Sequence, residues 1–284
     1  MLDTHCQRWL DACRFVLVRP SLAANIGSAV RALTTMGVHD LVVVAPDDAD
    51  FRHDEAALAR AGGARARLHE VGSQASLDAA IADCQLAVAV SAEGRAFGPP
   101  PEYPAPLCDD LVARLAEGGL QRVAFVFGTE RTGLSVEQMA RCQRWLTIPA
   151  DAAYSSLNLA QAVQIVAFSL RQAVLARAEG AGQRQDGLAG ERMTQAAAQP
   201  ACLGALEGLY RHAEQSLTAL GTLQPARPRR LMARLRSIIG RARPDQDEVD
   251  LLRGICRDID RLVAKRAQEK AEPGLVCREG GRTG

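Results

Sequence analysis

The sequence contains few aromatic residues and almost no lysine. Phe, Trp and Tyr together make up 4% of its 284 residues, so a nucleic-acid site would rely on charge and hydrogen bonds more than on base stacking. Lys265 and Lys270 are the two lysines, and every other basic residue apart from histidine is an arginine. A codon bias towards arginine is the simplest explanation for that imbalance.

Cysteine occurs, but never in the paired spacing of a metal site or a redox motif. The eight cysteines contain no CxxC pair and are scattered along the chain at Cys6, Cys13, Cys84, Cys108, Cys142, Cys202, Cys256 and Cys277. Such scatter argues against a zinc site or a disulfide framework and is typical of reduced thiols. The N-terminus lacks the apolar segment of a signal peptide, and no stretch approaches the roughly 18 apolar residues of a membrane span. We therefore expect a soluble cytoplasmic protein with neither a metal nor a membrane partner.

The common nucleotide and hydrolase signatures are also missing. No GxGxxG, P-loop, HExxH or GxSxG segment occurs, which disfavours a nicotinamide-dependent oxidoreductase, an NTPase, a zinc protease and an α/β-hydrolase. What the sequence does have is an uneven charge. The whole chain carries +1, whereas residues 201–284 contain 16 basic residues against 11 acidic ones. That excess favours a polyanionic partner for the C-terminal part.

Five short apolar runs predict the strands of a sheet. They show no alternation of polar and apolar residues and are separated by helical patterns, which predicts an α/β fold, a mainly parallel sheet with helices on both faces. The runs are residues 14–19, 41–45, 86–90, 123–127 and 145–148. A long helix is predicted to follow them, from about residue 157 to residue 178.

The composition changes after residue 178. Residues 179–200 hold four glycines and two large apolar residues, which predicts a flexible linker. Residues 201–270 predict a small basic domain made of three helices, and residues 271–284 predict a disordered tail. We therefore expect residues 1–178 to fold as an independent domain.

Three segments have the composition of a functional site. Asn25–Arg31 follows a strand; Asn25 would ordinarily cap a helix, while Gly27 would let a ligand approach the backbone. Phe127–Leu134 ends a buried strand, where ligands bind in open α/β sheets, although its glycines would equally suit a turn. Tyr154–Asn158 opens the long helix, where serines serve as caps or leave amides for a polar ligand. Taken singly, none of the three decides the function.

In this order, the three segments resemble the motifs of the SPOUT 2'-O-methyltransferase family, in its TrmH-like branch. NxGxxxR stands at 25–31, FGxExxGL at 127–134 and SLN at 156–158. The resemblance is closer still to the tRNA (cytidine/uridine-2'-O-)-methyltransferases of this branch, through residues 154–164 and 241–255. It implies that S-adenosylmethionine methylates the 2'-hydroxyl of ribose 32 in the tRNA anticodon loop. It also implies a homodimer and a trefoil knot in the C-terminal part of the α/β domain.

The resemblance further implies roles for individual residues. S-adenosylmethionine would lie among three loops and contact Val90, Ser91, Ala92, Gly128, Ile148, Ser155, Ser156 and Leu157. The residues facing the reaction would be Arg31, Asn25, Glu130 and Asn158. Because a guanidinium is a poor base near neutral pH, we expect Arg31 to orient the hydroxyl or a phosphate and to stabilise developing negative charge. Glu130 would hold Arg31 or shape the nucleotide site. The chain departs from the family at Phe168-Ser169, where Tyr-Glu is frequent.

A basic segment near the C-terminus is the second candidate site. Residues 227–243 contain seven arginines and no acidic residue. A solvated amphipathic helix explains part of this pattern, but so dense an unopposed charge favours contacts with RNA phosphates. The predicted RNA-binding residues are Arg229, Arg230, Arg234, Arg236, Arg241 and Arg243. Two alternatives stay open: methylation of ribosomal RNA or of another tRNA position, and a non-catalytic RNA-binding protein on the same scaffold.

Overall fold

A parallel sheet organises the fold. The computed structural model describes residues 4–92, 100–151, 153–184, 199–223 and 230–271. The strands are β1 (Cys13–Val18), β2 (Asp40–Val44), β3 (Gly72–Gln74), β4 (Leu86–Val90), β5 (Pro101–Glu102), β6 (Val123–Phe127) and β7 (Arg144–Leu146). They lie in the order β3-β2-β1-β6-β4-β7-β5, and each neighbouring pair is parallel. The predicted α/β fold with a mainly parallel sheet is confirmed. Strands β3 and β5 are short and were not predicted.

Helices connect and cover these strands. They are α1 (Thr4–Asp11), α2 (Ala23–Met36), α3 (Glu55–Ala61), α4 (Arg65–His69), α5 (Leu77–Ile81), α6 (Pro104–Ala116), α7 (Val136–Met139), α8 (Leu159–Arg184), α9 (Leu203–Ala219), α10 (Leu231–Ala242) and α11 (Gln246–Ala271). Helix α8 continues into the predicted linker. The remainder of that linker up to residue 198, and the tail from residue 272, lie outside the described residues. The trefoil knot implied by the resemblance stays a prediction.

The first face of the sheet packs against α1, α2, α6 and α8. Phe15 of β1 lies at its centre, with ring centroids 5.1 Å from Phe125 and 5.7 Å from Phe127 of β6. Because successive residues of a strand point to opposite faces, these three side chains lie on the same face of the sheet. All three are buried there. This packing holds the carboxyl ends of β1 and β6 next to the beginnings of α2 and α8, where the three motif segments meet.

The second face of the sheet is covered in large part by the C-terminal helices. Helices α5 and α7 are only five and four residues long, too short to cover it alone. Leu203, Leu206 and Leu209 of α9 and Val249 of α11 belong to the same buried cluster as Val126 of β6. The C-terminal helices therefore share a core with the sheet. Independent folding of residues 1–178, which the sequence led us to expect, stays a prediction.

Helix α8 departs from the expectation that no segment resembles a membrane span. Its residues Leu159–Glu179 are long and apolar enough to cross a membrane by length and composition. The helix nevertheless packs between α2 and α6, with Val163, Val166 and Leu170 fully buried against the sheet. A core helix of a folded α/β domain has the same length and composition, and this packing is what such a helix shows.

Candidate functional site

A cleft of about 320 Å³ opens at the carboxyl ends of β4, β6 and β7, beside the loop that leads into α8. Parallel α/β sheets bind ligands at this edge because the strand-to-helix loops converge there. The lining residues are Val90, Ser91, Ala92, Phe127, Gly128, Thr129, Glu130, Arg131, Thr132, Gly133, Ile148, Ser155, Ser156, Leu157, Leu159 and Ala162. The structure thus brings all eight residues expected to contact the cofactor around one cleft. Their binding of that cofactor stays a prediction.

The loop after β6 folds back on itself at two glycines. Thr129 and Gly133 exchange two backbone hydrogen bonds of 3.0 and 3.2 Å. A Cβ atom on Gly128 would lie only 2.1 Å from the Gly133 carbonyl carbon, and Gly133 has a φ of +62°. Both glycines are therefore required by the backbone of this turn. The turn directs Arg131 and Thr132, which sequence reasoning did not select, to the cleft.

Asn158 caps helix α8. Its Oδ1 accepts hydrogen bonds from the backbone N–H groups of Ala160 (2.9 Å) and Gln161 (3.4 Å). The helix begins at Leu159, directly after Asn158. Ser155 and Ser156 therefore do not have the capping role that the sequence suggested for them. Both serines are exposed and line the cleft. Because Asn158 caps the helix, the two serines are not needed as caps, and their hydroxyls can bind a ligand.

A hydrogen-bonded network joins the three motif segments next to the cleft. Asn158 donates from Nδ2 to Oδ1 of Asn25 at 3.0 Å, and Asn25 donates from Nδ2 to Oε1 of Glu130 at 2.9 Å. The same carboxylate accepts from the backbone N–H and the hydroxyl of Ser21, both at 3.0 Å. Asn25 is only 8% exposed and lies inside α2, which begins at Ala23, so it is not the helix cap considered from the sequence.

The environment of Glu130 keeps its carboxylate ionised. Partial burial raises the pKa of Glu130, but the hydrogen bonds from Ser21 and Asn25 outweigh this effect and hold the pKa below its ordinary value. An ionised carboxylate that accepts several hydrogen bonds holds the donor groups in place and is poorly suited to accept a proton. Its hydrogen bonds run to the β1–α2 connection, and no hydrogen bond to Arg31 occurs among the described residues. A contact between Glu130 and Arg31 therefore stays a prediction, while the contacts with Ser21 and Asn25 show that Glu130 helps to shape the loops beside the cleft.

Arg31 lies apart from the other three residues expected at the reaction. It is exposed on α2 and is not among the residues that line the cleft. A separation of six residues turns a helical side chain about 120° around the axis, so Arg31 cannot share a face with Asn25. Its Nη1 lies instead 3.8 Å from the position that a Cβ atom on Gly62 would occupy. The structure thus brings together Asn25, Glu130 and Asn158, but not Arg31.

Gly27 serves packing rather than ligand binding. A Cβ atom on Gly27 would lie 2.1 Å from the carbonyl oxygen of Ala57. Helices α2 and α3 therefore approach so closely at this point that only glycine fits. This contact explains the glycine of the NxGxxxR motif and replaces the expectation that a ligand approaches the backbone there.

The α/β part of the chain, residues 12–168, matches the model of the SpoU rRNA Methylase family. The chain belongs to this family. Residues 204–271 match a second model, the C-terminal domain of the tRNA methyltransferase TrmJ. The match to the C-terminal domain begins at α9 and so covers the helices that contact the second face of the sheet.

Relatives of this SpoU-family methylase are similar over nearly their whole length. The tRNA (cytidine/uridine-2'-O-)-methyltransferase TrmJ of Klebsiella pneumoniae is 37% identical over 254 residues, covering 88% of this chain and 97% of that protein. The protein of the same name from Escherichia coli K12 is also 37% identical and is covered to 96%. The crystal structure of TrmJ from Z. mobilis ZM4 superimposes with a TM-score of 0.71 at 28% identity, covering 87% of this chain and 98% of its own. The resemblance stated from the motifs is confirmed.

The basic segment of this methylase forms helix α10 and its flanks. Arg230, Arg234, Arg241 and Arg243 are exposed there, as contacts with a polyanion require. Arg229 lies outside the described residues. Arg236 is different: its guanidinium binds the carboxylate of Glu207 through two hydrogen bonds of 2.6 and 2.8 Å. Because this side chain is bound to another part of the protein, we remove it from the expected RNA contacts.

Proposed function

We propose that this SpoU-family methylase transfers a methyl group from S-adenosylmethionine to the 2'-hydroxyl of cytidine or uridine 32 in the tRNA anticodon loop. The observation that carries the proposal is the cleft, which gathers the three motif segments at one edge of the sheet. The tRNA substrate is supported by the names of the relatives, which this chain resembles over both its α/β part and its C-terminal helices. As an enzyme acting on tRNA, it would work in the cytoplasm.

The cleft has the size and the lining of a site for S-adenosylmethionine. Its volume of about 320 Å³ lies at the lower end of the range of roughly 300–1,000 Å³ that holds small ligands. Val90, Ile148 and Leu157 offer apolar surface to an adenine ring, while the hydroxyls of Ser155 and Ser156 offer polar contacts. Bound there, the cofactor would supply an electrophilic methyl group on a sulfonium.

The protein's contribution to the reaction is alignment and charge stabilisation. With the methyl donor held by the residues that line the cleft, the chain would have to align the ribose 2'-oxygen with the methyl group and let the hydroxyl proton leave to a phosphate or to water. Asn25, Glu130 and Asn158 fix the loops that border the cleft, which preorganises the approach. Arg31 would orient the 2'-hydroxyl or a neighbouring phosphate and stabilise the developing oxyanion, since a guanidinium is a poor base near neutral pH.

A homodimer is the arrangement that we propose for the active enzyme. In the apolar stretch within Leu159–Glu179 of α8, only 44% of the residues are fully buried within the chain, and Phe168 on this helix is 49% exposed. An apolar helix that is half covered by its own chain suits an interface with a second copy. The dimer would also give Arg31 a cleft to act on, namely the partner's, because Arg31 does not line its own.

Exposed arginines on α10 and its flanks would bind the tRNA backbone. Arg230, Arg234, Arg241 and Arg243 carry positive charge on a surface with no acidic residue of its own helix. Arginine binds phosphate oxygens through a planar fork of N–H donors. Recognition of the anticodon loop would then depend on tRNA shape together with access of ribose 32 to the cleft.

A purified-component assay tests the proposal. The protein is incubated with radiolabelled S-adenosylmethionine and an unmodified tRNA transcript, alongside the same transcript with a single 2'-deoxyribose at position 32. We expect label in the first RNA and none in the second. Label in both would mean that another tRNA position is the target. Label in ribosomal RNA alone would favour a ribosomal RNA methyltransferase, and no label with any RNA would favour a non-catalytic RNA-binding protein.

A further inference from the structure

Helix α10, which carries the exposed arginines, has little packing of its own. None of its residues is fully buried. Its apolar contacts with the second core run through the partly buried Met232 and Ile239. Exposed helices with few buried apolar contacts unfold or shift locally at low cost in free energy. The orientation of α10 relative to the cleft therefore depends on its polar contacts.

The main polar contact of α10 is the ion pair between Arg236 and Glu207 of α9. Two guanidinium nitrogens bind the two carboxylate oxygens at 2.6 and 2.8 Å. The guanidinium carbon of Arg236 also lies 4.4 Å from the ring centroid of Tyr210, in a cation–π contact. The side chains of both charged residues are only 20% exposed. A forked, half-buried pair of this kind fixes both distance and angle between two helices.

Glu207 also binds the α/β part of the protein. Nη1 of Arg141, in the turn between α7 and β7, lies 3.2 Å from each carboxylate oxygen of Glu207. Nε of the same arginine lies 2.9 Å from Oδ1 of Asp78 in α5. Burial raises the pKa of Glu207, but Arg236 and Arg141 hold it below its ordinary value. A continuous chain of ion pairs therefore runs from α10, through Glu207, to the helices that flank the sheet.

We infer that Glu207 is a positioning residue for tRNA binding, which rests on the proposed function. By holding Arg236 and Arg141 at once, it fixes α10 relative to the cleft. Arg230, Arg234 and Arg241 are then presented as one phosphate-binding surface at a set distance from the reacting ribose. Glu207 needs no contact with RNA in this role, because it acts through the orientation of α10.

The test uses Glu207→Gln in the full-length protein, with Asp83→Asn as the matched control. Asp83 is likewise bound by two arginines, Arg14 and Arg122, but these lie in the α/β part and also pair with Asp40. We expect Glu207→Gln to raise KM for tRNA roughly tenfold, as loss of a charge-assisted hydrogen bond can. The rate at saturating tRNA and the affinity for S-adenosylmethionine should stay unchanged. Asp83→Asn should leave KM unaltered.

Hydrogen exchange without RNA separates this inference from the proposed function. Glu207→Gln should accelerate amide exchange across Leu231–Ala242, and Asp83→Asn should not. Unchanged exchange in α10 together with an unchanged KM would overturn the positioning role, even if the exposed arginines prove essential. Glu207→Gln could instead accelerate exchange in α10 while tRNA binding proves independent of Arg230, Arg234 and Arg241. That result would refute the tRNA-binding role of α10. If Glu207→Gln does not fold, Arg236→Gln breaks the same link from the surface of α10 and gives the same two readouts.

Discussion

Asn158 Nδ2 lies 3.0 Å from Asn25 Oδ1, although 133 residues separate them in the chain. Asn158 also caps α8 with its own Oδ1, and Asn25 donates a hydrogen bond from Nδ2 to Glu130. Each amide thus uses its acceptor on one partner and its donor on another, which fixes its orientation. The three side chains form a brace between the β1–α2 connection, the loop after β6 and the beginning of α8. We regard them as residues that hold the cleft in shape.

The brace makes stability depend on pH through Glu130. Since its pKa is lowered in the folded protein, the carboxylate stabilises the fold above its ordinary pKa of about 4.3 and loses this contribution as pH falls through the folded-state value. Glu130→Gln should therefore be less stable than the unaltered protein at pH 7, and the difference should shrink below about pH 4.3. Urea unfolding at several pH values measures this. A difference that is constant with pH would show that the charge of Glu130 plays no part.

Truncation tests the shared core. A chain ending at Arg184 lacks Leu203, Leu206 and Leu209, which cover the second face of the sheet. Burying a leucine contributes roughly 1.5–3 kcal/mol, so we expect the shortened chain to have a lower Tm and to bind a hydrophobic dye such as ANS. An unchanged Tm without dye binding would instead support the independent domain that the sequence led us to expect.

Salt dependence tests the arginines of α10. Replacing Arg230, Arg234 and Arg241 by Gln should weaken tRNA binding and flatten the slope of log affinity against log salt. The slope should change by roughly 0.7–0.9 for each phosphate that is no longer neutralised, while affinity for S-adenosylmethionine should not change. Arg177→Gln is the control, because that partly exposed arginine pairs with Glu117 on another part of the surface. An unaltered slope in the triple variant would mean that these arginines only solvate the helix.

Substitution of Arg31 tests its role in the reaction. Arg31→Ala should keep S-adenosylmethionine binding, since Arg31 does not line the cleft, and lose methyl transfer by a factor on the order of 10² or more. Arg31→Lys should behave nearly like alanine if the forked geometry matters. A lysine variant whose activity rises steeply with pH would instead point to a base at this position. Near-normal turnover by Arg31→Ala would remove Arg31 from the mechanism.

Mixed dimers test whether Arg31 acts on the partner's cleft. Arg31→Ala and Asn158→Ala are each expected to be inactive alone. In a mixed dimer, one cleft would combine an intact Asn158 with the partner's intact Arg31, so mixing the two variants should recover part of the activity. Recovery on mixing, measured against each variant at the same total concentration, supports a shared site. No recovery from dimers shown to be mixed would place Arg31 at the cleft of its own chain.

The sequence indicates local features of this protein well and long-range contacts poorly. The apolar runs located β1, β2, β4, β6 and β7, since a strand buried on both faces has a local signature. The cleft residues were found through the motif resemblance. The reason for Gly27 and the partner of Arg236 were missed, because each depends on a residue some 30 positions away, Ala57 and Glu207 respectively. The covering of the sheet by α9 was missed for the same reason, since an amphipathic helix does not specify which apolar surface it contacts.

Nucleoside analysis of tRNA from a strain that lacks the gene is the decisive test of 2'-O-methylation at ribose 32. The tRNA is digested, and 2'-O-methylated cytidine and uridine are quantified and mapped to their positions. We expect the modification at position 32 to disappear, to return with the unaltered gene and not to return with the Arg31→Ala variant. Modification at position 32 that persists in the deleted strain while another RNA position loses its methyl group would contradict this expectation.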